Sequence, residues 1–206
     1  MIPEKEFWNK KYSEGGISGR GSIGKYRAWK WKKIKNVIGN FKSVVDVGCG
    51  DLSFWEHRIP RGFAKQKDFN YLGVDISKNI ISRNRKIFSR FKDVQFVCNP
   101  AYILLNITKV DVVLCMDLLF HIMDNFRFEL IIDNLCKYSK EWIVIYTWEK
   151  NPFELQRVVT DGVSQYFRPL KNYKHIFDMN SFDLHSAYPV PFDDWGSLYF
   201  LRSLLY

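Results

Sequence analysis

Two glycines and two acids carry the most readable chemistry in this sequence. Asp46-Val47-Gly48-Cys49-Gly50-Asp51-Leu52 closes the apolar run Ser43–Val47. Glycines at the end of a strand permit a sharp turn and let backbone approach a ligand. Asp75 ends the next apolar run, 25 residues after Gly50. A carboxylate there can accept both hydroxyls of a ribose. Turn and acid together predict an adenosine-containing ligand. Asp46, two residues before the turn, suits a positive group on that ligand better than phosphates. Ser53 stands where a nicotinamide site would place its third glycine, and no Gly-Lys-Ser/Thr follows, so the segment is not a P-loop. The string Gly19-x-Gly21-x-x-Gly24 matches a dinucleotide pattern, but no strand precedes it, and that pattern needs one.

These residues need elements to hold them. Short apolar runs read as strands at Ser43–Val47, Tyr71–Val74, Val94–Val97, Val110–Cys115 and Trp142–Tyr146. Between them, Ser77–Phe91 has helical period with Ser77 as cap, and Phe126–Tyr138 has helical period. A helix is also expected to start at Ser53. Nearly all-apolar strands alternating with helices imply a parallel sheet covered on both faces. Phe182–Ala187 and Leu198–Leu201 read as an antiparallel hairpin at one edge. Phe7–Tyr12 reads as a short helix. The Gly-rich stretch 14–24 and the basic, aromatic helix Tyr26–Ile38 follow it. Residues 148–175 show few period signals. The expected organisation is one domain over 1–206, with 1–40 as an N-terminal lid on the substrate side.

Composition bounds the function. The chain has 206 residues, 47% of them hydrophobic, enough for one domain with a real core. The longest near-apolar stretch, Val110–Met123, is too short and too polar for a bilayer, and Met1–Tyr12 has no apolar signal run. A cytoplasmic protein is expected. The net charge of +9 is uneven: residues 1–100 hold 21 Lys/Arg against 9 Asp/Glu, and 101–206 hold 10 against 13. Seven basic residues and no acid lie between Arg20 and Lys35. Such a run fits an anionic partner or a solvated helix face. Cys49, Cys98, Cys115 and Cys136 form no Cys-x-x-Cys pair and are expected to be buried free thiols. The four histidines, His57, His121, His175 and His185, are scattered, so no metal site is expected.

Val44-Val45-Asp46-Val47-Gly48-Cys49-Gly50-Asp51 followed by Leu72-Gly73-Val74-Asp75-Ile76-Ser77 resembles the first two motifs of class I S-adenosylmethionine-dependent methyltransferases. Val110 to Ile122 is similar to that family's fourth strand and following loop, and the likeness covers about residues 43–148. It implies a Rossmann-like seven-stranded sheet, mostly parallel with an antiparallel C-terminal hairpin and helices on both faces. The implied cofactor is S-adenosylmethionine. By this resemblance Gly48, Cys49 and Gly50 approach the cofactor and Asp46 supports its aminoacyl end. Asp75 holds the ribose with Ile76 beside it, and Asn99, Pro100 and Asp117 complete the cofactor set. Leu52 departs from the pattern, since many members carry a third glycine there. Gly15–Ser22 also resembles an N-terminal feature of a less characterised methyltransferase group.

Methyl transfer from a sulfonium asks the protein mainly to align the acceptor and exclude water. Ligands sit at the carboxyl ends of parallel strands. That places Asp117, His121, Tyr146, Trp148 and Glu149 near the methyl. His121 is the candidate base, because its reference pKa lies near neutrality; a structural histidine on a helix face is the alternative. Asp117 caps the following helix or touches the cofactor. Asn99-Pro100-Ala101-Tyr102 resembles the Asn-Pro-Pro-Tyr motif of amino-methyltransferases, but follows the third strand rather than the fourth. A substrate-amine role and an adenine-side role therefore both stand. Arg20 and Tyr26 are candidate substrate-side residues on the lid. The expected function is methyl transfer to a small-molecule or sugar-like acceptor. The alternatives are an RNA methyltransferase using the basic N-terminal half and a non-catalytic S-adenosylmethionine-binding protein.

Overall fold

The computed structural model describes residues 4–56, 69–149, 157–160, 163–192 and 195–206. It groups them into two compact units, 1–101 and 102–206. In the first unit the elements are α1 (Glu4–Ser13), a 3₁₀ turn at Arg20–Ser22, α2 (Gly24–Val37), β1 (Ser43–Val47), β2 (Asn70–Asp75), α3 (Lys78–Ile87) and β3 (Val94–Cys98). In the second they are β4 (Val110–Met116), a 3₁₀ turn at Leu119–His121, α4 (Asn125–Tyr138), β5 (Ser139–Trp148), β6 (Arg157–Thr160), β7 (Val163–Tyr166), a 3₁₀ turn at Leu170–Tyr173, α5 (Lys174–Met179), β8 (Phe182–Pro189) and β9 (Gly196–Ser203).

Seven strands form one mixed sheet in the order β3-β2-β1-β4-β5-β9-β8, and β6 and β7 form a separate hairpin. β1, β2 and β3 pair in parallel, as do β4 and β5. β9 runs antiparallel to β5 and to β8. The expected architecture is therefore present. Its physical basis is visible in β4 and β5, where Val112–Cys115 and Ile143–Ile145 are completely buried. Strands covered on both faces cannot alternate polar and apolar residues.

α3 is fixed at its start by Ser77, whose side chain accepts from the Ile80 N–H. α2 buries Tyr26, Lys30, Trp31 and Ile34. The Trp31 ring stacks on Phe54 at 4.9 Å, and its Nε1 donates to the Phe54 carbonyl. The aromatic packing continues through Trp55 and Tyr71 to Phe96 and Phe88.

Three expectations change. The basic run is not one solvated face: Lys30 is fully buried, and Arg27 pairs with Glu56 at 2.9 Å. Cys98 is exposed at the end of β3, although the other three cysteines are buried. The stretch 148–175, which showed few period signals, carries a hairpin, a 3₁₀ turn and the start of α5. The helix expected from Ser53 falls largely outside the described residues; Asp51–Glu56 is a run of turns.

Candidate active site

The glycine turn folds back onto β2. The N–H groups of Gly48 and Cys49 both donate to the Val74 carbonyl, at 2.8 and 3.1 Å. The Gly50 N–H donates to Asp75 Oδ2 at 2.9 Å. All three turn amides are thus spent inside the protein, whereas a phosphate cradle needs them pointing outward. Gly48 and Gly50 sit at φ +80° and +51°, where L-residues are strained. A Cβ at Gly50 would also lie 2.4 Å from Ser18 Oγ and 2.7 Å from the Tyr12 hydroxyl oxygen. Leu52, the departure from the family pattern, adopts φ +63°. The backbone there is the one a glycine would take, and the leucine side chain is buried.

Asp75 is buried, and its carboxylate accepts from the backbone N–H groups of Gly50, Ile76 and Ser77. Burial pushes its carboxyl up to about 6 despite those bonds. Two ribose hydroxyls are donors of the kind that favours the charged form, so the residues present fit an adenosyl group. Asp46 is also pushed up to about 6 by burial. Its Oδ2 accepts from Trp55 Nε1 at 2.7 Å and from the Tyr71 hydroxyl at 2.9 Å. The Cys49 thiol points toward Gly73, where a Cβ would lie 2.9 Å from its sulfur. Asn99 continues beyond β3, its N–H donating to the Asp75 carbonyl and its side-chain amide to the Pro100 carbonyl. Asn99 and Pro100 are half-buried, and Tyr102 stacks under Arg127 at 4.7 Å.

The N-terminal segment supplies residues that sequence reasoning missed. Ser18 and Asp51 bond reciprocally: the Ser18 N–H donates to Asp51 Oδ2 at 3.1 Å, and the Asp51 N–H donates to Ser18 Oγ at 3.3 Å. Bonds from Ser18 and Ser53 hold the Asp51 carboxyl below its ordinary range against a burial penalty, which is the largest single influence on it. Tyr12 lies against Gly50, and burial with the nearby Asp75 charge raises its phenol well above its ordinary range. Asn9 on α1 accepts from the Ser77 hydroxyl at 2.9 Å, and its carbonyl accepts from the Asn79 side chain at 3.0 Å. A single polar residue inside a Gly-rich stretch gave no periodic or motif signal to find. Arg20 is exposed with its guanidinium 5.4 Å from the centre of the buried Tyr26 ring.

In the second unit Asp117 follows β4 at φ +58°, its N–H donating to the Tyr146 carbonyl. Aspartate tolerates that region better than most residues, and such positions cluster at functional sites. His121 ends the 3₁₀ turn, half-buried, with its ring 4.5 Å from Phe120. Tyr146 is fully buried with its ring against Gly196. Trp148 stacks on Phe120 at 4.4 Å and on Phe167 at 5.8 Å. Glu149 accepts from the Leu170 N–H and from the Tyr199 hydroxyl. Arg168 pins the loop after β4. Its guanidinium donates to the carbonyls of Ile122 and Met123 and to Asn125 Oδ1, and lies 4.0 Å from the Tyr166 ring centre. No helix among the described residues is long and apolar enough to cross a membrane.

The family model described as "Methyltransferase domain" matches residues 45–137. No curated protein sequence matches the chain. Among solved structures, it is similar to magnesium protoporphyrin IX methyltransferase from Synechocystis with bound S-adenosylhomocysteine: 17% identity, TM-score 0.68, covering 98% of this chain and 100% of that one. It is also similar to an S-adenosylmethionine-dependent methyltransferase from Clostridium acetobutylicum, at 14% identity, TM-score 0.67, and 96% and 97% coverage. A third is the 1,6-didemethyltoxoflavin-N1-methyltransferase of Burkholderia thailandensis, at 13% identity, TM-score 0.72, and 97% and 86% coverage. These likenesses show the fold, and the family match supplies the chemistry. With the glycine turn at its head, the segment 45–137 matches a methyltransferase domain, and the fold of the chain is that of class I S-adenosylmethionine-dependent methyltransferases.

Proposed function

We propose that the chain moves the methyl group of S-adenosylmethionine to a small-molecule acceptor by in-line displacement, with the acceptor at the carboxyl ends of β4 and β5. The observation that carries this reading is the inward use of all three turn amides beside a buried, raised carboxyl at Asp75. That combination disfavours a phosphate-led ligand and favours a hydroxyl-bearing, positively charged one.

The cofactor, when bound, supplies a methyl on a sulfonium, already an excellent leaving group. The chain's own work is then positioning. Asp75 accepts the ribose hydroxyls. Gly48, Cys49 and Gly50 give close backbone approach, and Asp46 supports the aminoacyl end through Trp55 and Tyr71. Ile76, Asn99 and Pro100 flank the adenine, and Asp117 completes the cofactor side. His121 takes the proton from the acceptor; Trp148, Tyr146 and Glu149 shape the acceptor side. Residues 1–40 act as a lid, with the exposed Arg20 toward the acceptor and the buried Tyr26 packed behind it. The Ser18–Asp51 bonds and the Asn9 tether support that role.

A radiolabelled-methyl transfer screen over lysate fractions tests the reading. Label should enter the small-molecule fraction with the wild type and vanish with Asp75→Ala. His121→Ala should slow transfer about a hundredfold or more while leaving cofactor affinity unchanged. Label in RNA with steep salt sensitivity would move the acceptor to nucleic acid. No label in any fraction, with cofactor still bound, would leave a binding protein without catalysis.

A further inference from the structure

One buried polar atom in the second unit has no role in the reading above. Gln165 on β7 is 6% exposed, and its Oε1 has no hydrogen-bond partner among the described residues. A buried acceptor without a donor is rare in folded proteins, because its lost hydration is not repaid. An apolar side chain of the same size would avoid that cost. The chain at 164–167 alternates half-buried and buried residues, so Gln165 and Phe167 share one side. Tyr166 takes the other side, under Arg168.

On the Phe167 side lies a set of flat surfaces. Phe120, Trp148 and Phe167 stack nearly parallel, with interplanar angles of 12° and 19° about Trp148. Trp195 meets Trp148 edge-on at 5.2 Å. Trp148 and Trp195 are only half-buried, so the group reaches the surface. β7 itself packs on the Leu119–His121 turn, which follows the carboxyl end of β4. That end is where parallel sheets hold their ligands.

We infer that Gln165 is an acceptor-recognition residue, and that the acceptor is a flat, π-rich small molecule whose neutral N–H or O–H donates to Gln165 Oε1. The inference rests on the methyltransferase reading and narrows its acceptor. Ring faces and edges suit a planar partner. The orphaned oxygen selects one that donates, and a neutral amide does not demand a cation. A site built to bond a donor discriminates strongly against an analogue lacking it.

Calorimetric titration of the full chain with 2-naphthol, 2-methoxynaphthalene and methyl α-glucoside tests this. The two naphthalenes differ in the donor, and the glucoside has donors without a flat ring system. The wild type should bind 2-naphthol at least tenfold more tightly than its methyl ether, and more tightly than the glucoside. Gln165→Met and Gln165→Leu should bind the two naphthalenes within about twofold of each other, and should melt no lower than the wild type. Equal binding of the two naphthalenes by the wild type overturns the inference without any variant. So does preference for the glucoside, retained discrimination in a folded variant, or a melting point well below wild type in both variants. Titration of S-adenosylhomocysteine into the same samples separates the failures. If it binds while the naphthalenes are not told apart, this inference alone falls. If it does not bind while discrimination persists, the methyltransferase reading falls.

Discussion

Leu52 is held in a conformation that its side chain resists and its burial requires. The left-handed backbone costs on the order of 1 kcal/mol or more for a non-glycine residue. Removing a buried leucine costs about 2–5 kcal/mol. Leu52→Ala loses the burial and keeps the strain. Leu52→Gly loses the burial and releases the strain, so it should be about 1 kcal/mol less destabilising than Leu52→Ala. That inverts the usual order of the two residues, and urea denaturation of both variants checks it. Asp46 makes a second prediction at this scale. Its carboxyl is pushed up to about 6 in the folded chain, against about 3.9 when unfolded. The folded state therefore binds its proton more tightly. The stabilising contribution is whole below about pH 4 and is lost as the pH rises through about 6. Asp46→Asn keeps an oxygen for Trp55 and Tyr71 but carries no charge. Relative to it, the wild type should lose on the order of 2 kcal/mol between those limits, seen in melts compared across pH. The motif named Asp46, Gly48, Gly50 and Asp75, but not the left-handed turn imposed on Leu52, because a leucine there carries no mark of its backbone.

At the scale of elements, α1 and the strap after it are tied to the first unit by polar bonds rather than by a buried face. α1 has no buried residue. Its anchors are Asn9 on Ser77 and Asn79, and Ser18 on Asp51. Elements held this way open at low free-energy cost. Limited proteolysis near Gly19 should be slowed by added cofactor if the strap closes over it, and equal cleavage rates with and without cofactor would exclude that closure. Strand and helix positions in 43–148 were readable because their burial is regular: β4 and β5 are apolar and buried over Val112–Cys115 and Ile143–Ile145, and α4 buries Phe128, Ile131, Ile132 and Leu135 on one side. The 148–175 stretch was not readable for the opposite reason. Its order comes from Arg168, Glu149 and stacked aromatic rings, contacts distant in sequence that leave no period. Cys98 was misjudged because an apolar run predicts burial along a strand but not at its last residue.

At the scale of the whole molecule, the positive excess is partly structural. Arg27 is bonded to Glu56 and to the Ser53 carbonyl, and Lys30 is buried, so neither offers a free charge to an anion. Tyr26 and Trp31 are packed inside, which leaves Trp29 as the half-buried aromatic of that helix. Cofactor linkage gives the prediction for the full chain. A ligand at a hundredfold its dissociation constant stabilises by about 2.7 kcal/mol. For a chain of this size S-adenosylmethionine should then raise the melting temperature by about 5–10 °C. No shift at saturating cofactor would contradict the proposed site. The Arg168 dock has a further consequence, for how such a chain diversifies. Two of the oxygens it grips, on Ile122 and Met123, belong to the main chain, and every amino acid supplies that atom. Side chains along the gripped loop can therefore be exchanged without loosening the dock. Mutational drift toward new acceptors is decoupled from the upkeep of the scaffold, as long as Arg168 keeps Asn125 and the rings of Tyr166 and Phe128 around it.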